Sequence, residues 1–204
     1  MRPYITRRFN AKLGFKPEDR SAYGGNPITD ISALTAVEFI SKFLLRAYNN
    51  SLDFEARWHM SLGSLLAGIA FTNAGLGLAH AVALAVGGRF HSTHGESIAA
   101  LLPSVLEFNS SSTSQALKRI VEVMGEYVKD LSGREASLKG VSAIRRLITD
   151  LKLPINLRGL GVKEEDVPTI VEDTLKIRRL LEGNPRRVDR EDLEKNNILG
   201  NLNS

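Results

Sequence analysis

Three of the four histidines fall within fifteen residues of one another: His80, His91 and His94. Neutral imidazole nitrogen is the commonest protein ligand for zinc and a good one for ferrous iron. His80 stands in Gly77-Leu78-Ala79-His80-Ala81, inside an apolar helical run, and His94 stands in His91-Ser92-Thr93-His94-Gly95-Glu96, just ahead of the next helix. A helix end followed by a glycine turn folds the second histidine back toward the first, so two imidazoles fourteen residues apart can meet. Two considerations weigh against a metal. A lone histidine in an apolar helix is most often a hydrogen-bonded core residue. Two histidines also fall short of a complete site, because catalytic zinc takes three protein ligands plus an open position and iron sites usually include a carboxylate. Glu96 has three candidate roles: helix cap, metal ligand, or acceptor for the outer N–H of an imidazole. Its place at the start of a helix favours the cap. His59, one turn from Glu55, reads as a surface or boundary residue. With no cysteine anywhere, thiolate metal sites, disulfides and thiol nucleophiles are excluded.

The elements that must hold these residues read as helices throughout. Pro27 lies ahead of Thr29 and Asp30, either of which can cap a helix running to about Tyr48, with Ile31, Leu34, Val37 and Leu45 on one face. Asn49-Asn50-Ser51 breaks the chain, and Ser51 or Asp53 starts the next helix. Gly87-Gly88 is the expected end of the long apolar run. Further helices are expected after Gly95, from Ser112 or Thr113, and from about Ser137. The chain then turns at Pro154, Gly159 and Gly161, and helical spacing returns with Val167, Ile170, Val171, Leu175 and Ile177. Gly183-Asn184-Pro185 closes that helix, and Asp189 is placed to cap a short last one. No run alternates apolar and polar residues long enough for a strand, so the expected fold class is all-α, a helical bundle. No repeat of 20–50 residues recurs, and Tyr23-Gly24-Gly25-Asn26 lacks the preceding strand and third glycine of a phosphate-cradling loop.

Charge and hydropathy narrow the function classes. The chain has 204 residues, 43% hydrophobic and 25% charged, which suits one folded domain and excludes disorder as its main state. The net charge of +4 resides in one arm: residues 1–20 hold six basic side chains against Glu18 and Asp19, and the rest of the chain is balanced. Without a recognised nucleic-acid motif, the arm reads as a solvated segment, not a phosphate contact. Residues 58–88 carry no Asp, Glu, Lys or Arg, a length that could span a bilayer. Six glycines, two histidines and Asn73 within that stretch, with a mean hydropathy of −0.11 for the chain, favour helices packed on all sides in a soluble core. The first residues lack the apolar core of a signal peptide, and the expected location is cytoplasmic, without membrane association.

The same residues carry a resemblance. Ala67-Gly68-Ile69-Ala70-Phe71-Thr72-Asn73-Ala74-Gly75-Leu76-Gly77-Leu78-Ala79-His80, then His94-Gly95 and Leu101-Leu102-Pro103, resemble the signature of the iron-containing (group III) alcohol dehydrogenases. Asn26 to Asp30, Glu55-Ala56-Arg57, residues 157–168 and Asn184-Pro185-Arg186 resemble the family's flanking segments, so the likeness runs from about Tyr4 to Leu193. It implies an α-helical domain, residues 26–204 after a basic arm or insertion over 1–25, that normally follows a nucleotide-binding α/β domain. It also implies Fe(2+) or Zn(2+) in the cleft between the two, held by an Asp and a His of one helix and by two further histidines, which fall on His80 and His94. Phe71 falls where the family lines its substrate cavity. Tyr4-Ile5-Thr6-Arg7 resembles the stretch directly after the family's Asp and first His, which places half of the metal shell and the whole NAD(P) domain outside this sequence. Leu84 stands where many members have another histidine near the nicotinamide.

The expected function is accordingly the metal- and substrate-side portion of an NAD(P)-linked alcohol dehydrogenase acting on a small alcohol or aldehyde. It would be active only with a separate nucleotide-binding domain docked on it, and an exposed apolar cleft wall would favour association, including self-association. The alternative is a non-catalytic helical binding or oligomerisation module that keeps the family fold.

Overall fold

The computed structural model describes residues 25–195, 198 and 199; the basic arm, apart from Gly25, and the polar tail lie outside the described residues. The elements are α1 (Pro27–Asn49), α2 (Phe54–Ala74), α3 (Leu78–Phe90), α4 (His94–Val123), α5 (Gly133–Asp150), 3-10 turns at Arg158–Leu160 and Glu164–Asp166, α6 (Val167–Lys176), α7 (Arg178–Glu182) and α8 (Arg190–Lys195). Among the described residues there is no strand, so the fold is all-α, as the sequence pattern implies. α1 pairs with α2 and α4 with α5, while α3 packs against α4, α6 and α7.

Local chemistry sets most boundaries, not always at the expected residue. Asn26 caps α1, accepting from the Ile28 and Thr29 N–H groups, and Thr29 Oγ1 returns the favour by accepting from the Asn26 N–H at 2.9 Å. Pro27, which suits the first helical position, fixes the cap upstream of Thr29 and Asp30. Asp53 caps α2 through the Ala56 N–H at 2.9 Å. Ser132 with Glu135 forms the capping box of α5, so Ser137 lies inside the helix, where its hydroxyl donates to the Gly133 carbonyl. The helix expected from Ser112 or Thr113 does begin there: α4 is two helical segments that meet at Thr113, whose backbone is non-helical (φ −137°, ψ 20°) and whose hydroxyl donates to the Asn109 carbonyl at 2.8 Å. A threonine hydroxyl bonded four residues back along the chain commonly accompanies a bend in a helix.

Two larger corrections concern the uncharged stretch. Gly87 and Gly88 are helical, and α3 ends at His91 in the left-handed conformation (φ 51°), a region in which histidine is among the better tolerated non-glycine residues. The stretch is also not buried throughout. Leu78, Ala79, Ala81, Val82, Ala83, Ala85 and Val86 bury most of α3, leaving the side that carries His80 and Leu84 more open, whereas α2 leaves Phe54, Trp58, Leu65 and Ile69 exposed on one face. Ile31 of α1 is likewise exposed, the buried face there being Ala33, Ala36, Val37 and Phe43. α2 and α3 meet at a bend of 105°, and no single helix among the described residues is long and apolar enough to cross a membrane.

The core divides into one cluster around α3, built from Val82, Val86, Leu101, Ile170, Val171 and Leu193 among others, a second between α1, α4 and α5 that includes Val37, Leu106, Ile120 and Ile144, and a small third of Val121, Val128 and Ala136. At the α4–α5 contact Gly140 lies against Val121: a Cβ there would come within 2.4 Å of Val121 Cγ2. Valine in a helix is held in one χ1 rotamer and cannot turn aside. Gly140→Ala should therefore destabilise the fold by about 1–3 kcal/mol despite alanine's better helix propensity. Urea unfolding of the two single variants and the Gly140→Ala/Val121→Ala double variant checks this; the double should be more stable than the sum of the single losses implies.

A candidate two-histidine metal centre

The site is assembled from one turn and two helix starts. Gly75 ends α2 in the left-handed region (φ 84°), its N–H donating to the Phe71 carbonyl at 2.9 Å. Gly77, which has no side chain to cap with, opens α3, and His80 follows in the first turn with its N–H on the Gly77 carbonyl at 3.0 Å. At the far end of α3 the left-handed turn at His91 and extended backbone at Thr93 (φ −63°, ψ 149°) return the chain along the helix. The Ser92 carbonyl oxygen passes 3.9 Å from where a Cβ on Gly87 would sit. His94 is then the first residue of α4.

The two imidazoles meet. Their ring centroids are 4.9 Å apart with the planes tilted by 56°. With metal–nitrogen bonds of about 2.0–2.1 Å, two imidazoles on one ion at angles between octahedral and tetrahedral place their centroids about 4.5–5.2 Å apart. The pair therefore fits two donors to one cation. His80 is half-buried and His94 exposed. Among the described residues no group of three or more His, Asp or Glu side chains gathers around a common point, so what they offer is two ligands. His91 provides the turn and is itself exposed.

Glu96 caps α4. Its carboxylate accepts from the Thr93 hydroxyl at 2.7 Å and from the Thr93 N–H at 3.1 Å, while Thr93 Oγ1 accepts from the Glu96 N–H at 3.4 Å. The Thr93 hydroxyl, and then its N–H, hold the carboxyl below the usual range. Phe71, in the last turn of α2, is 42% exposed. Leu84 is one turn beyond His80 on α3 and 54% exposed, so an accessible face continues from the imidazole into an apolar side chain.

Two residues hold places that spacing did not reveal. His59 is half-buried and stacks on Phe43 at 3.9 Å, with edge contacts to Phe39 and Trp58; its Nδ1 donates to the Glu55 carbonyl oxygen at 2.8 Å. It joins α1 to α2. Asn184 accepts from the Leu78 N–H at 3.4 Å, giving α3 the cap that Gly77 cannot. A single polar residue after a helix-closing glycine carries no sign of a partner 106 positions away.

Residues 18–199 match the C-terminal domain of the Fe-containing alcohol dehydrogenase family. The 1,3-propanediol dehydrogenase of Klebsiella pneumoniae is 39% identical over 168 residues, 82% of this chain and 43% of that protein. The NAD-dependent methanol dehydrogenase of Bacillus methanolicus is 34% identical over 152 residues, 74% of this chain and 40% of that protein. The crystal structure of a 1,3-propanediol oxidoreductase superposes with a TM-score of 0.84 at 35% identity, over 96% of this chain and 47% of that one. The chain belongs to the Fe-containing alcohol dehydrogenase family, in the all-helical C-terminal part of it. It spans less than half the length of each of these relatives.

The Glu96 cap fixes the helix start that carries His94, and its depressed carboxyl pKa gives it a pH signature. A folded-state value below the unfolded one means a contribution that is present above the unfolded pKa, about 4.3, and lost as pH falls through the folded one. Glu96→Gln keeps an acceptor for Thr93 but does not titrate. The wild-type advantage in urea midpoint over this variant should shrink between about pH 6 and pH 3; an advantage constant across that range would exclude the ionised cap.

Proposed function

We propose that this chain is the metal- and substrate-side portion of an alcohol dehydrogenase, working with a nucleotide-binding domain of the kind its longer relatives contain. The observation that carries this reading is the approach of the His80 and His94 rings to a separation suited to one shared cation. The names of the relatives, a 1,3-propanediol dehydrogenase and an NAD-dependent methanol dehydrogenase, support a small alcohol or its aldehyde as substrate and NAD(P) as hydride acceptor. Bound Fe(2+) or Zn(2+) would serve as a Lewis acid toward the alcohol oxygen.

The chain's own residues have separable tasks in this proposal. His80 and His94 would each offer a ring nitrogen as ligand, one from the first turn of a largely buried helix and one from a capped helix start. Phe71 and Leu84 supply apolar surface that excludes water from beside the reacting carbon. The face of α2 bearing Phe54, Trp58, Leu65 and Ile69 is larger than a lone domain has reason to leave in water, with Trp58 61% and Leu65 59% exposed. That exposure supports a second body resting against this one.

Titration with zinc or cobalt(II) tests the reading directly. The wild-type chain should bind one equivalent, and His80→Ala or His94→Ala should weaken binding by at least about tenfold, the scale on which even the partners that orient metal ligands act. Joining the chain to the nucleotide-binding half of the 1,3-propanediol dehydrogenase should then give alcohol-dependent NAD reduction that both substitutions abolish. A titration indifferent to both histidines would instead identify a helical module that has kept the fold without the chemistry.

A further inference from the structure

We infer that Asn184 is a positioning residue for the two-histidine site, acting with Asn109 and Gly183 as a clamp that holds the start of α3 against α4. The metal arm of the test rests on the function proposed above; the geometric arm does not.

Asn184 and Asn109 are 2% and 1% exposed, and their side-chain amides bond reciprocally: Asn109 Nδ2 donates to Asn184 Oδ1 at 3.0 Å, and Asn184 Nδ2 donates to Asn109 Oδ1 at 2.8 Å. Asn184 Nδ2 also donates to the Arg186 carbonyl at 2.7 Å, and Asn184 Oδ1 accepts from the Leu78 N–H. Every hydrogen-bonding atom of this buried amide is thereby used, which is the condition under which a buried polar group fixes geometry instead of destabilising it. The placement of the ends matters most. Asn109 belongs to α4, the helix that His94 begins, and Leu78 is the first residue of α3, two before His80. One amide pair thus ties the helix carrying one imidazole to the origin of the helix carrying the other.

Two glycines bring the segments close enough for this. A Cβ on Gly183 would lie 2.6 Å from the Leu76 carbonyl oxygen, and one on Gly77 would lie 3.2 Å from Asn184 Oδ1. The turn over residues 75–77 therefore rests directly on residues 183–184. The clamp is itself held down. The Arg186 guanidinium lies 3.9 Å over the Phe108 ring and pairs with Asp192 at 3.1 Å, and Asp192 accepts from the Asp189 N–H to box the start of α8. The arrangement acts on His80 through the backbone of the first turn of α3, and the imidazole's position relative to His94 is what it sets.

The test uses the full chain with nitrogen-15-labelled histidine. In the wild type, NMR should show a cross-peak between the His80 and His94 ring protons, with His59 in its aromatic sandwich as an internal reference. Asn184→Ala removes the clamp's hydrogen bonds. Gly183→Ala removes none of them and, with φ in an ordinary region, only pushes the Leu76 carbonyl away; it decides the matter should Asn184→Ala not fold. Both should lose the cross-peak and move the His80 ring signals while His59 stays in place, and zinc affinity should fall about tenfold. Ile148→Val, a core substitution on α5, lowers stability without touching the clamp and should leave the cross-peak and the affinity unchanged. A cross-peak retained in folded Asn184→Ala and Gly183→Ala would overturn the inference. Absence of zinc binding in the wild type would remove the metal reading alone, since the cross-peak still reports whether the clamp positions the rings.

Discussion

A helix that buries seven of its thirteen residues, as α3 does, can neither turn nor slide without opening the contacts that Leu101, Ile170, Val171 and Leu193 make around it. Close-packed interiors resist such displacement because each lost contact leaves a void that nothing fills. Both ends of α3 are therefore fixed points of the fold, and the candidate site is suspended from them. His80 hangs from the first turn. Ten more residues of helix follow it, a rise of about 15 Å, which the left-handed turn at His91 and the extended segment behind it must undo before His94 is reached. The meeting of two imidazoles is thus a property of how α3 is buried before it is a property of the histidines.

Burial is distributed very unevenly between the two helices of the uncharged stretch. α3 is buried on all but the side of His80 and Leu84, while α2 touches α1 along one side and carries a Phe-Trp-Leu-Ile stripe on the other. The more buried helix secures the geometry of the two imidazoles, and the more open one leaves an apolar stripe uncovered among the described residues. His59, stacked on Phe43 and edge-on to Trp58, keeps the open helix attached where few buried side chains do so.

The sequence made the fold class and the two-histidine approach legible because both rest on local signals: helical spacing, and a helix end between His80 and His94. It mislocated the stop of α3 because Gly87-Gly88 has the composition of a terminator while the left-handed residue is His91, a choice set by the path back along the helix. It did mark the break at Thr113, because a hydroxyl residue able to bond the carbonyl four positions earlier is a local sign of a bend, and two helical segments of α4 meet there. It took the uncharged stretch as buried throughout, since absence of charge does not say which helix has neighbours. Nor could it relate Asn184 to α3. Propensity and spacing act over a few residues, and that hydrogen bond joins segments 106 positions apart.

The same separation has a consequence for biosynthesis. The side chains that roof α3 come partly from Leu157, Val162, Ile170, Val171 and Leu193, which leave the ribosome as much as a hundred residues after Val86. At about 5–20 residues per second, a nascent chain holds an apolar helix, whose one arginine or lysine is Arg89 in its last turn, without its lid for several seconds or more. In that interval the apolar surface of α3 has only earlier segments of the chain to pack against. The last helices of the domain, short and unremarkable in composition, are what bring that exposure to an end.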